Sequence, residues 1–413
     1  MKLLCLSNGH GEDAIAMRIL RELQQHDLVE IAALPIVGEG KAYTDIPIIG
    51  RVQAMPSGGF IYMDGRQLMR DMQGGLLQLT LAQLKIVRAW ASAGKANQGH
   101  FVLAVGDIVP LLFAWLSGLP FAFVGTAKSE YYLRDETKSL PREFWWQQFE
   151  GWSGSVYHPW ERWLMSHPRC KAVFPRDGLT AKVLQQFAIP AFDLGNPMMD
   201  ELEVSERVSP VPLSDKALVI VLLPGSRAPE AYANWQQLLL ATQSVIEAFA
   251  ERSLVFLGAI APSLSLESLQ EQLVIKGWSL QTEDQASQLT FTYKQATLIL
   301  SQQSFQDFLQ QADLAIAMAG TATEQFVGLG KPAIAIPGQG PQFTPRFAEA
   351  QTRLLGPSLT LVKRPAQVGE IVRSLLSNPD YLQQISENGQ HRMGTPGAAQ
   401  RIAVQVMQCL QQA

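Results

Sequence analysis

The stretch Ala217-Leu218-Val219-Ile220-Val221-Leu222-Leu223-Pro224-Gly225-Ser226-Arg227 decides the fold. Its unbroken apolar run is more than one sheet face can bury, so the strand it predicts is covered on both sides, as in a parallel sheet flanked by helices. A turn of small residues follows, then a helix-like Asn234–Ala250. Strand, small-residue turn and helix are how a Rossmann unit begins. The chain opens on the same design: Lys2–Leu6 runs into Ser7-Asn8-Gly9-His10-Gly11-Glu12-Asp13 and a helix-like Ala14–Gln25. Further short apolar runs recur at Phe101–Val105, Phe121–Val124, Leu254–Leu257, Leu314–Ala317 and Ala333–Ile336, with amphipathic stretches between them. This is an α/β pattern, and it excludes all-α and all-β folds.

Two such starts predict two Rossmann-like domains, residues 1–200 and 201–375. Asn196–Lys216 is polar, carries Pro197, Pro210 and Pro212, and reads as the linker between them. After Pro365 the strand pattern stops. Three helical segments follow, broken by Asn378-Pro379 and by Gly394-Thr395-Pro396-Gly397, and residues 376–413 are expected to pack across the two domains. No charge occurs between Asp107 and Lys128, a length that could span a bilayer. Pro110, Gly118, Pro120 and Gly125 favour a short helix over Val109–Leu116, a turn, and a buried strand over Phe121–Val124 instead.

Composition narrows the function. The 413 residues are 47% hydrophobic, and 33 Lys+Arg against 37 Asp+Glu leave a net charge of −4, which provides no general field for nucleic acid. Cys5, Cys170 and Cys409 lie far apart, form no CxxC pair, and read as reduced structural thiols with no metal site. The N-terminal apolar run is too short for a secretory signal, so a cytosolic location is expected. Five of the nine tryptophans, Trp145, Trp146, Trp152, Trp160 and Trp163, crowd together near Arg142, Arg162, Arg169 and Lys171. Amphipathic Trp beside cations suits a bilayer surface. Glu143, Glu150 and Glu161 in the same stretch weigh against that, and core packing or a homodimer contact fits equally.

Three turns could carry chemistry. In Leu222-Leu223-Pro224-Gly225-Ser226-Arg227, Gly225 and Ser226 let the backbone approach an anion, the helix start offers N–H groups, and Arg227 can grip phosphate oxygens bidentately. The plain alternative is a tight turn with a solvated Arg227. In Ala319-Gly320-Thr321-Ala322-Thr323-Glu324, ahead of a helix-like Gln325–Leu329, the glycine and hydroxyls suit a phosphate. Glu324 suits the ribose hydroxyls or, equally, the helix dipole. The first turn carries His10, Glu12 and Asp13, all able to move protons, although Asp13 could simply cap the next helix. Asp107 follows Gly106 at the end of a buried strand, the edge where ligands bind open α/β sheets, and could also be a cap.

Taken together, these pieces resemble lipid-A-disaccharide synthase and its relatives, inverting glycosyltransferases of the GT-B fold, and most of all the synthase-related branch. Leu222–Arg227 resembles that family's phosphate loop, and Phe174-Pro175-Arg176-Asp177 its Phe-Pro-x-Glu segment. Gly195-Asn196-Pro197 with Asp200 resembles its Gly-His-Pro-x-x-Asp, and Ala319-Gly320-Thr321-Ala322 its Ser-Gly-Thr-Ala turn. The resemblance implies two Rossmann-like domains facing a cleft and a nucleotide-sugar donor, expected to be UDP-linked. It implies Asp107 as general base and matches Asp13 to the acid that closes the family's first turn; His10, from the turn itself, is a further catalytic candidate. Gly225, Ser226, Arg227, Gly320, Thr321 and Ala322 would line the diphosphate, Glu324 would face the ribose, and Gln339 would contact the sugar. It further implies a lipid-linked acceptor met at the inner membrane surface, no cofactor, and no metal requirement. Three departures bear on the acyl-sugar substrates: the first turn differs from Gly-Glu-x-Ser-Gly-Asp, Glu324 comes one residue early, and Val124–Ser129 replaces an aromatic Ser-Pro-x-x-Trp-Ala-Trp segment. A non-hydrolysing UDP-sugar 2-epimerase and a non-catalytic nucleotide-binding protein remain rivals, since fold alone does not set function.

Overall fold

In the computed structural model, residues 1–25, 29–53, 76–94, 99–136, 140, 151–202, 217–283 and 288–412 are described. The chain forms two compact units, Met1–Asp200 with Pro396–Ala413, and Glu201–Thr395.

The first unit is built on a parallel sheet of β1 (Lys2–Ser7), β2 (Glu30–Pro35), β3 (His100–Gly106), β4 (Phe121–Gly125) and β5 (Cys170–Pro175), in the order β2-β1-β3-β4-β5. Strand residues alternate between two apolar cores, as a period of two requires. Leu3, Cys5, Phe101 and Leu103 pack on one face with Ile15 and Ile19 of α1 (His10–Gln24). Leu4, Leu6, Val102 and Ala104 pack on the other with Val87 of α2 (Leu76–Gly94) and Leu111 of α3 (Ile108–Ser117). Two further helices, α4 (Pro159–Met165) and α5 (Gly178–Gln185), flank β5. The charge-free stretch is thus α3, a turn at left-handed Gly118, and β4. Among the described residues no helix is long and apolar enough to cross a membrane.

The second unit holds β6 (Leu218–Leu223), β7 (Leu254–Ala259), β8 (Ser279–Glu283), β9 (Gln288–Tyr293), β10 (Ala296–Ser301), β11 (Leu314–Ala317), β12 (Ala333–Ala335) and β13 (Leu359–Leu361). Their order is β13-β12-β11-β6-β7-β10-β9-β8. The ladder is parallel from β13 to β10, while β9 runs antiparallel to both its neighbours. The helices are α6 (Glu230–Ala248), α7 (Leu266–Ile275), α8 (Phe305–Gln311), α9 (Thr321–Gly328), α10 (Pro345–Leu355), α11 (Val368–Leu376) and α12 (Pro379–Met393).

The last three helices fall at the breaks read from Asn378-Pro379 and Gly394–Gly397, but they do not act as one group. α12 stays with the second unit: Asn388 Nδ2 donates to Leu355 O (2.8 Å) and Arg392 donates to Arg353 O and Leu354 O at the end of α10. The final helix, α13 (Ala398–Gln411), returns to the first unit. Its Ile402, Val406 and Leu410 complete the α1 core. The Asp200 carboxylate accepts its first N–H groups, from Gly397, Ala398 and Ala399 at 2.7, 3.1 and 2.7 Å. The tail expected to cross the domains is thus divided between the units, α12 in the second and α13 in the first, where the buried Asp200 receives it. The expected linker is shortened too, because Pro197–Met199 is a buried turn capped by Asn196, whose Oδ1 accepts the Met198 N–H (3.0 Å). Residues 203–216 lie outside the described ones. Cys5, Cys170 and Cys409 are free and buried.

Candidate functional site

Both candidate regions lie at carboxyl-terminal strand edges. In the first unit, α1 starts at His10, earlier than the expected Ala14, so Glu12 and Asp13 both belong to its first turn. Successive helical residues point about 100° apart, so these two acids face different surroundings. Asp13 turns inward: it is buried, its Oδ1 accepts the Ser7 hydroxyl (2.6 Å), and Ser7 Oγ in turn accepts the Tyr43 hydroxyl (2.6 Å). Glu12 turns toward β3 and β4. A Cβ on Gly106 would stand 3.3 Å from Glu12 Cγ and 3.1 Å from Asn8 Cβ, so the close approach of the two turns needs glycine there. The Thr126 hydroxyl points to Glu12 Oε1 at 3.4 Å. The His10 side chain lies outside the described residues.

Asp107 follows Gly106, is 8% exposed, and caps α3 by accepting the Val109 N–H (2.9 Å). Capping and function are compatible, because a carboxylate has acceptor capacity to spare. Burial pushes its carboxyl up to about 6, with the Glu161 charge adding and Lys128 opposing. Lys128 is itself paired with Glu161 (2.5 Å), which also accepts the His158 N–H. Burial likewise pushes Glu12 up to about 7, and the Asp107 and Asp13 charges add to that. The structure therefore brings Asp107 and Glu12 together as two carboxyls poised near neutrality, and sends Asp13 into a packing role. The Phe174–Asp177 segment frames them: Arg176 donates to Thr126 O (3.3 Å), and Asp177 caps α5 through the Thr180 N–H (2.8 Å).

In the second unit, three turns sit side by side after β6, β11 and β12, neighbours in the sheet. Gly225 has φ +93°, a conformation L-residues with a Cβ avoid, and the turn passes so close to the next that a Cβ would stand 3.3 Å from Met318 O. Ser226 is exposed, and its carbonyl accepts the Ser263 hydroxyl (2.8 Å). Arg227 is half-buried just before α6. The N–H groups of Ala231 and Tyr232 turn back to Arg227 O and Pro229 O, so the start of α6 spends on its own turn two donors that the sequence offered to an anion.

The second turn is held differently. α9 begins at Thr321, four residues before the expected Gln325, so Thr321 and Ala322 supply the first helical N–H groups. Thr321 is exposed, Glu324 is buried in that first turn, and Gln351 Nε2 donates to Ala319 O and Gly320 O (3.3 and 3.1 Å). The third turn carries Gln339, exposed at its tip. The structure thus gathers Gly225, Ser226, Arg227, Gly320, Thr321, Ala322, Glu324 and Gln339 along one edge, which offers backbone donors, hydroxyls and one guanidinium. That chemistry suits an anion carrying a sugar.

Sequence reading named Glu12 but did not choose it; the signal was Gly106, whose missing side chain makes room for it. Glu230 and Asn234, behind the second edge, were missed altogether. On the outer surface of the first unit, Trp152, Trp160 and Trp163 are 64%, 52% and 56% exposed. Trp145 and Trp146 lie outside the described residues, as do Arg142, Glu143 and Glu150.

Two Rossmann-like units of this design define the GT-B fold. No family model matches the chain, and no curated protein matches it. Solved structures do. A putative UDP-N-acetylglucosamine 2-epimerase from Listeria monocytogenes superposes with TM-score 0.59 at 15% identity, covering 100% of this chain and 97% of that one. CalG4, the calicheamicin glycosyltransferase, gives 0.59 at 14%, covering 100% and 98%. MurG of Acinetobacter baumannii gives 0.55 at 14%, covering 98% and 99%. At these identities the likeness establishes the fold.

Proposed function

We propose that the protein is an inverting glycosyltransferase that moves a sugar from a UDP-sugar, with acylated glucosamine a candidate sugar, to a lipid-linked acceptor, as lipid-A-disaccharide synthase does. The observation that carries this reading is the row of three turns around Arg227, since such a row suits a nucleotide diphosphate and the similar solved structures include enzymes named for UDP-sugars. In this reading Arg227, Gly225, Ser226 and the N–H groups of Thr321 and Ala322 stabilise the leaving diphosphate. Glu324 faces the ribose and Gln339 the sugar. Asp107 takes the proton of the acceptor hydroxyl as its oxygen attacks the anomeric carbon. The first turn of α9, which has no side-chain cap among the described residues, stands in for a metal as the counter-charge. The exposed tryptophans support a lipid-linked acceptor at a membrane surface, and Glu161, the acid among them, is turned inward onto Lys128.

Calorimetry with UDP tests the donor site. Arg227→Ala should abolish binding, and an unchanged affinity would sink the phosphate assignment. One observation favours a second reading: an isomerase must both remove and return a proton, and the pair Asp107 and Glu12 offers two groups near neutrality. Incubation with UDP-N-acetylglucosamine and no acceptor separates the two, because interconverted sugar favours the isomerase and intact donor favours the transferase. UDP binding without any product from a lipid extract would mean a nucleotide-binding protein without catalysis.

A further inference from the structure

The three turns of the second unit are far apart in sequence, and one helix behind them touches all three. Glu230 and Asn234 stand one turn apart on α6, on the same face, 8% and 3% exposed. Asn234 Nδ2 donates to Pro224 O (3.0 Å) and reaches Met318 O (3.5 Å), so one amide spans the Arg227 turn and the turn before α9. Its Oδ1 lies 3.1 Å from where a Cβ on Gly338 would stand. The Glu230 carboxylate accepts the N–H groups of Gln342 (3.0 Å) and Phe343 (2.7 Å). The third turn closes on itself through Gly338 N–H to Phe343 O (2.9 Å), and a Cβ on Gly340 would stand 2.2 Å from Glu230 Cδ. Gln339 therefore sits at the tip of a loop whose backbone rests on one buried carboxylate.

We propose that Glu230 and Asn234 are positioning residues that divide the nucleotide-sugar site between them. Asn234 sets the spacing of the two turns that hold the diphosphate. Glu230 fixes the Gln339 loop and so sets how strongly the sugar, as distinct from the nucleotide, is recognised. The division rests on the UDP-sugar reading above. It follows from connectivity, because Asn234 bonds to the phosphate-side turns while Glu230 bonds to the Gln339 loop.

The test is calorimetry of the full chain with UDP, UDP-glucose and UDP-N-acetylglucosamine, read as the ratio of UDP-sugar to UDP affinity. Glu230→Ala should keep UDP affinity and lower the ratio by about tenfold, the value of one or two lost hydrogen bonds. Glu230→Gln retains an acceptor for Phe343 N–H and should restore part of it. Gly340→Ala, which pushes the loop off Glu230 without altering α6, should lower the ratio in the same direction. Asn234→Leu should weaken UDP and UDP-sugars alike, by about tenfold, with the ratio unchanged. A merely structural role would not separate the ligands. If Glu230→Ala and Gly340→Ala leave the ratio at its wild-type value while the wild type binds UDP, the inference fails and the UDP reading stands. If the wild type binds neither UDP nor UDP-sugars, both fail.

Discussion

The two strand edges begin from the same local design and end with opposite chemistry. After β1 and β3 the turns carry acids, and burial holds Glu12 and Asp107 near neutrality. After β6, β11 and β12 the turns carry glycine, hydroxyls and Arg227; neutral amides brace the first two, Asn234 between them and Gln351 behind one, and the Glu230 carboxylate is taken up by backbone N–H groups of the third. A Rossmann unit supplies an edge where backbone N–H groups and first-turn side chains gather; the residue types there decide whether that edge handles protons or holds anions. In the first unit glycine makes room for a carboxylate, as Gly106 does for Glu12. In the second it makes room for backbone where Gly225 passes Met318, and for a supporting carboxylate behind the edge where Gly340 passes Glu230.

That division can be broken most sharply at Asp107. Asp107→Asn should cut turnover by about 10²–10⁴-fold while UDP affinity holds, because the cap can persist and only the base is lost. A variant that lost UDP binding as Arg227→Ala does would end the separation of roles. A base must be ionised, so kcat/KM in the wild type should fall as pH drops through about 6, where burial has placed the Asp107 carboxyl. Lys128→Met removes the cation that opposes this rise, and the fall should then begin at higher pH in a pH–rate profile.

Glu12 sharpens the contrast through stability. Its carboxyl is raised from 4.5 to about 7 in the fold, so the protonated form is favoured. That stabilisation is complete below pH 4.5 and is lost as pH rises through 7. Glu12→Gln, neutral throughout, should therefore gain about 3 kcal/mol on the wild type at alkaline pH relative to acid, measured by urea unfolding across pH. A constant difference would mean that Glu12 is not held as described. Gly225→Ala probes the other edge. The left-handed backbone there should cost about 1–2 kcal/mol, with weaker UDP binding and no change in the pH profile.

Much of the fold was legible because doubly buried strands leave unbroken apolar runs, as Leu218–Leu223 and Leu314–Ala317 do. The β8–β9 hairpin escaped, since alternating burial along β9, the strand next to the sheet's edge, leaves no such run. Helix starts were read about four residues late at α1, α6 and α9 for a common reason. Each follows directly on a residue that punctuates sequence, Gly9, Pro229 and Gly320, so the first helical turn was read as part of the preceding loop. The same delay hid Glu230, which read as part of a turn and is the first residue of α6. Asn234 was legible as helix and silent as to role, because its two carbonyl partners, Pro224 and Met318, meet only in the folded chain.

The return of α13 to the first unit sets an order of events during synthesis. Residues 1–200 emerge first, yet the apolar face of α1 and β5 stays open until Ile402, Val406 and Leu410 arrive and Asp200 captures the N–H groups of Gly397–Ala399. The second unit, contained in Glu201–Thr395, can close before that. The unit whose residues emerge first is thus finished last, and its apolar core stays incomplete in the nascent chain until α13 follows.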